Sequence, residues 1–287
     1  MTTVSNFNWQ RFRLVVLHQF HESRGLLVNF LLGGFIALFV MYLFTGYFMI
    51  DPEFVDLDTW STFAAVYTYM AIVTMLHIGY SLIFSHLKTK QARINFYMLP
   101  ATNAEKYFAR LLLTSLGSAV LILVAFVAAD LLSWALLALM QRPGAMVMPV
   151  IGDHISKLCG LIGLGINKVG DTLEIHEVLF MIPFGLSSLV TYHAIYVLGG
   201  TVFRKFAFLL TTAFNSAVSI VLSIPFSIIA AFFTNWEAII HWINEIPFHI
   251  WLSIGSLVNL LFAALFYWIS YRMFVRSNVI TSRSIGL

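Results

Sequence analysis

Residues 111–131 read LLLTSLGSAVLILVAFVAADL. An α-helix rises about 1.5 Å per residue, and about 20 apolar residues are needed to cross the hydrocarbon of a bilayer. This run is long enough. It also contains Asp130, the one carboxylate inside any long apolar run of the chain. Similar runs lie at 26–50, 63–84, 178–203, 206–233 and 250–274. They are continuous rather than alternating, and an open sheet cannot satisfy its backbone in lipid. The expected fold class is therefore all-α: a polytopic membrane protein with six transmembrane helices. Composition agrees. Of 287 residues, 60% are apolar and 10% charged, against about 25% charged in a soluble domain. So few charges cannot cover a water-soluble surface, so lipid is the solvent for most of this one.

The basic residues fall between the runs or at their margins. An even number of spans puts both termini on one side. With that side taken as the cytoplasm, the inner segments hold Arg11, Arg13, Arg24, Lys88, Lys90, Arg93, Lys106, Arg110, Arg204, Lys205, Arg272, Arg276 and Arg283. The outer segments hold only Arg142, Lys157 and Lys168. The positive-inside rule then selects cytoplasmic N and C termini. This charge ratio fits a bacterial inner (cytoplasmic) membrane. The net charge of +3 is explained by this topology and is no nucleic-acid signature. Cys159 is the sole cysteine, which excludes an internal disulfide or a thiolate metal cluster. The first run is too long for a signal-peptide core and is expected to stay as a span.

The chain is expected to form a single transmembrane domain, 1–287, with four further elements. In 9–24, Trp9, Phe12, Val16 and Phe20 recur at helical spacing, which predicts an amphipathic helix in the headgroup plane. The outer segment 141–177 is long and partly apolar. In 234–249, Thr234 and Glu237 have capping-box spacing ahead of an apolar face, which predicts a short re-entrant outer helix. Pro183 and Pro225 predict kinks within spans.

The fourth element is the loop 87–110 on the cytoplasmic side. Residues 86–113 read HLKTKQARINFYMLPATNAEKYFARLLL. The segment begins basic, then supplies Ile94, Phe96, Tyr97 and Leu99, and breaks at Pro100. Thr102 and Glu105 have capping-box spacing and open a new helix that runs into the third span. A short helix, a corner and a re-entry make an element on which a partner can press.

Residues 98–110, MLPATNAEKYFAR, resemble the loop between the second and third spans in permease subunits of ATP-binding-cassette transporters of the type-2 exporter class. The overall plan is similar: an elbow helix, six spans, a coupling helix and a short re-entrant helix between the fifth and sixth spans. Residues 93–96, Arg-Ile-Asn-Phe, differ from the Gly-Thr-Leu-Glu-like run frequent in that family, and 141–177 is longer than the usual connection. The resemblance implies a cytoplasmic cassette ATPase, two copies per assembly, docked on 88–100. It also implies a second permease copy or a related permease. Lys90, Arg93, Phe96, Tyr97, Leu99 and Pro100 are the expected coupling residues. No Walker sequence occurs, so ATP would act only through the partner subunit and no cofactor is expected in this chain.

Ionisable and polar groups inside the spans are costly and need a purpose. His77, Asp130, His193 and Asn215 are candidates for an intramembrane polar path or for hydrogen bonds between helices. Gly33-Gly34 and Gly199-Gly200 suit close helix packing. No H-E-x-x-H or G-x-S-x-G sequence occurs, and His18 and His21 fit an interfacial polar face better than a metal pair. The chain is thus expected not to be an enzyme but the permease subunit of an ATP-driven exporter. The alternative is a non-transport membrane scaffold or regulator that holds a cytoplasmic partner through the same loop.

Overall fold

The structure is a computed structural model. It describes residues 7–48, 57–141, 146–153, 156, 175–203, 205–232 and 247–276. Every regular element among them is helical. In chain order they are α1 (Trp9–Glu22), α2 (Arg24–Phe48), α3 (Leu57–Ser81), a 3₁₀ turn (Ser85–Lys88), α4 (Lys90–Met98), α5 (Asn103–Leu139), α6 (Ile175–Val202), α7 (Ala207–Phe232) and α8 (Phe248–Arg276). A short helical segment at 147–153 follows α5. Among the described residues six helices are long and apolar enough to cross a membrane, over Arg24–Tyr47, Thr62–Ser81, Asn103–Leu139, Phe180–Val202, Ala207–Pro225 and Phe248–Arg276. The chain is an all-helical, multi-pass membrane protein. The expected re-entrant helix at 234–246, most of the outer segment 141–177, and Cys159 lie outside the described residues.

The apolar runs locate the spans, and polar residues cap the starts of α1 (Asn8) and α5 (Thr102). The sequence places the third span at 111–131, but α5 starts at Asn103 and continues to Leu139. Its 37 residues span about 55 Å at 1.5 Å each, well beyond the ~30 Å of a bilayer core. Its first two turns, which carry Glu105, Lys106 and Arg110, therefore stand clear of the apolar stretch that opens at Leu111. Pro183 and Pro225 lie inside α6 and α7, and both helices run on through them.

The chain divides into two compact units: Met1–His86 with Ile94–Gly160, and Leu87–Arg93 with Leu161–Leu287. In the first unit the core is built by Leu38 and Tyr42 of α2, Ala64 and Ala65 of α3, Phe126 and Ala129 of α5, and Val147 of the short segment. Small residues let these helices approach closely, as expected where lipid offers no hydrophobic drive to association. A Cβ on Gly79 would fall 2.4 Å from Ser118 Cβ, and one on Gly46 would fall 2.6 Å from Leu137 Cδ1. A buried hydroxyl pair, Tyr42 with Thr68 at 2.8 Å, ties α2 to α3.

In the second unit a polar seam joins α6 to α8. Thr191 Oγ1 donates to the Asn259 carbonyl at 2.8 Å, and Asn259 Nδ2 donates to Ser188 Oγ at 2.9 Å. Thr201 and Ser270 share a hydrogen bond at 2.7 Å. At Gly199 α6 lies close against α7, because a Cβ there would collide with Thr211 Oγ1. The packing expected of Gly199 is therefore seen. Gly33 by contrast faces open space, and Gly34 sits at ordinary contact distance from Met75 and Ala125.

On α1 the side chains buried in the protein are distinct from the Trp9, Phe12, Val16 and Phe20 stripe expected to lie in the headgroup plane. Val15, Gln19 and the C-cap Ser23 are buried, whereas Trp9, Leu14, Leu17 and Phe20 are exposed. Apolar residues occur around most of this helix, so periodicity alone does not select its inner face. Hydrogen bonds with α5 select it instead: Gln19 Nε2 donates to the Lys106 carbonyl, and Arg110 Nη1 donates to Ser23 Oγ.

Candidate functional site

The corner between the second and third spans is assembled from local signals. Thr89 opens α4: its hydroxyl accepts from Ala92 N at 3.2 Å, and its carbonyl accepts from Arg93 N at 3.2 Å. Residues 99–101 leave the helix at Pro100, where Ala101 N donates to the Leu99 carbonyl at 2.8 Å. Thr102 then caps α5 with the full reciprocal box predicted for it. Its hydroxyl accepts from Glu105 N at 3.2 Å, and Glu105 Oε2 accepts from Thr102 N at 2.8 Å.

Three charged residues of α5 then hold the corner together. Glu105 is fully buried. Besides Thr102 N it accepts from Asn8 N at 2.7 Å, from Arg11 Nε at 2.7 Å and from Arg11 Nη2 at 2.6 Å. The fork geometry fixes the start of α1 on the start of α5. Burial opposes the charge on Glu105, but the hydrogen bonds from Arg11, Thr102 and Asn8 outweigh it. They hold the carboxyl at about 2, below its ordinary 4.5. Lys106, also buried, donates from Nζ to the Tyr97 carbonyl at 2.9 Å and so satisfies a last-turn carbonyl of α4.

Arg110 is the hub. It is 1% exposed. Its Nε donates to the Ile83 carbonyl at 3.0 Å, its Nη1 to Ser23 Oγ, and its Nη2 to His86 Nδ1. One guanidinium thus joins the turn that follows α3, the α1–α2 junction, the 3₁₀ turn and α5. A guanidinium only donates, so His86 must accept on Nδ1 and carry its proton on Nε2. Burial, then the nearby Arg110 charge, pushes the His86 imidazole down to about 2, which keeps it neutral. The His86 ring also stacks edge-on against Phe96, with centroids 5.3 Å apart.

This arrangement sorts the expected coupling residues. Lys90 opens α4, and Arg93 lies one turn further along. Phe96 is buried against His86 and anchors the helix. Tyr97 and Leu99 are half-buried, and Pro100 is exposed. The outward stripe of α4 is Gln91, Asn95 and Met98, spaced four and three residues apart. Sequence reasoning did not single out these three, although their helical spacing was legible once 90–98 is read as a helix. It also missed Glu105, Lys106 and Arg110 as site residues. The capping box marked Glu105, but nothing in the sequence marked the partners of Arg110.

The intramembrane polar candidates have separate local surroundings. Asp130 is buried near the far end of α5, where Oδ1 accepts from Val147 N at 2.9 Å and Oδ2 from Met148 N at 2.8 Å. His77 lies edge-on to Tyr80 on α3. His193 Nδ1 hydrogen-bonds the Tyr267 hydroxyl. Asn215 lines a cavity of about 390 Å³ within the second unit, with Gly199 and Thr211. Among the described residues no group of three His, Cys, Asp or Glu is placed to hold a metal ion. No family model, curated protein or solved structure matches the chain.

The depressed Glu105 pKa gives a pH test. A carboxyl whose folded pKa lies below its unfolded value stabilises the fold above the unfolded pKa. That contribution is lost as pH falls through the folded pKa. The detergent-solubilised protein should therefore lose stability progressively from about pH 4.5 toward pH 2. In the Glu105→Gln variant, thermal melts should show less stability at pH 7 and a flatter profile across that window. Parallel wild-type and variant profiles would refute the role of Glu105.

Proposed function

We propose that this chain is the membrane-spanning permease subunit of an ATP-driven exporter. In this reading both termini and the 88–100 corner face the cytoplasm of a bacterial inner membrane. A separate cassette ATPase, two copies per assembly, docks on the corner, and a second permease copy or a related permease completes the pathway. The observation that carries the reading is the corner itself. A short helix hangs between the second and third spans, presents its own outward face, and is fastened by buried charged groups to a third-span helix that continues unbroken into the apolar zone. Pressure on α4 would pass through the Tyr97 carbonyl to Lys106, and through Phe96 and His86 to Arg110. Lys106 and Arg110 are both buried residues of α5, so in this reading the load is delivered to that helix. The 13-residue resemblance at 98–110 points the same way.

The test is reconstitution in proteoliposomes with the cassette ATPase that co-purifies with the chain. Assembly should stimulate ATP turnover. The double variant Tyr97→Ala/Leu99→Ala should lower that stimulation about tenfold while the six-span region keeps its melting temperature. Pro100→Ala should act in the same direction. Stimulation unchanged in both variants, or no ATPase recovered with the wild type, would overturn the reading.

A further inference from the structure

A groove of about 510 Å³ opens on the first unit between α1, α2 and α5. Its body is apolar and includes Phe20, Leu27, Leu31, Leu116 and Val120, with Gly117 on the same α5 face. Its one charged lining residue is Arg24, the first residue of α2. We propose that this groove binds one anionic phospholipid, with the phosphate on Arg24 and an acyl chain along α2 and α5.

Three observations carry the assignment. Arg24 is exposed and takes part in no hydrogen bond or ion pair among the described residues. Its charge is free for an anion at the headgroup end of the span. The lining then runs inward from Arg24 to Leu31 on α2 and from Leu112 to Leu121 on α5. At 1.5 Å per residue this is about 10–14 Å of apolar slot, and the exposed Val28, Leu116 and Val120 open it to lipid. A phosphate followed by a hydrocarbon chain matches that order of charge and grease. Last, Gly117 serves no close helix approach. A Cβ on it would meet only Leu113 Cδ1, at 3.8 Å. A mid-helix glycine costs about 1 kcal/mol relative to alanine, and what its missing side chain provides here is room in the groove. The site stands independently of any ATPase partner.

The experiment uses the full-length protein, delipidated in detergent. It is titrated with dioleoylphosphatidylglycerol or dioleoylphosphatidylcholine, and lipid retained after gel filtration is counted by mass spectrometry. Wild type should hold one phosphatidylglycerol, preferred about fivefold, since one basic residue near an anionic headgroup contributes about 1 kcal/mol. Arg24→Gln should remove the preference but keep apolar retention. Gly117→Phe should remove the retained lipid altogether, and Leu116→Trp gives an independent block should the first variant fold poorly. Inorganic phosphate should not displace the lipid. Retention unchanged in both blocking variants, no headgroup preference in wild type, full displacement by phosphate, or a shift to a lipid-free dimer would overturn the assignment.

Discussion

Arg110→Met should be the most damaging single change at the basic end of the first unit. Methionine fills much of the same space but donates nothing. The Ile83 carbonyl, Ser23 Oγ and His86 Nδ1 each lose their donor at a buried position. A buried polar group left without its partner costs about 1–3 kcal/mol. The Ser23 hydroxyl can still donate its own hydrogen, so its loss is partial and the sum is about 3–5 kcal/mol rather than three full penalties. For a chain of this size each kcal/mol moves the melting temperature by roughly 2–4 °C, so a fall of about 10 °C is expected in detergent. Arg110→Lys should retain part of this, because an ammonium keeps the charge but lacks the fork that reaches three directions. Arg13→Met, on the exposed side of α1, should stay within about 1 °C of wild type. A double variant adding His86→Leu should cost less than the two single losses combined, since both remove the same hydrogen bond. A melting temperature for Arg110→Met within 2 °C of wild type would show that the cluster does not hold the corner.

Arg110 also shows where the sequence stops being informative. The spans were legible because lipid imposes one rule on every residue facing it, and about 20 apolar positions in a row satisfy that rule without reference to the rest of the chain. The corner was legible for a related reason. Pro100 and the Thr102–Glu105 spacing act within four residues, so local chemistry fixes the break and the restart. Arg110 appears in the sequence only as one more basic residue before an apolar run. Its partners lie 24, 27 and 87 positions away. Glu105 likewise reaches back 94 positions to Arg11. Counting such charges gives only an expected orientation, whereas their pairing depends on how helices stack. The same limit applies to α1, whose buried face is chosen by distant partners on α5, and to Gly79, whose missing side chain has meaning only against Ser118.

Asp130→Leu should release the segment that follows α5, and this effect separates two uses of the one carboxylate inside the apolar run 111–131. The first amides of any helix have no acceptor within it. For the segment at 147–153 those of Val147 and Met148 find theirs on the two oxygens of Asp130. A hydrogen bond to a charged group contributes about 1.5–3 kcal/mol, and a negative charge at a helix N-terminus adds about 0.3–1 kcal/mol. Leucine removes all of this and leaves two amides bare, so the segment should open by about 3 kcal/mol more readily. Val147, 1% exposed and packed with Leu38 and Tyr42, would then be uncovered. With Cys159 replaced by serine, a Val147→Cys reporter should react slowly with an impermeant maleimide. In the Asp130→Leu background it should react about a hundredfold faster, at tenfold per 1.4 kcal/mol. Asp130→Asn keeps one carbonyl acceptor and should fall between the two. A residue serving a polar path would behave differently. Its asparagine variant would leave the reporter as protected as in the parent, and equal labelling rates across all three backgrounds would rule out the capping role.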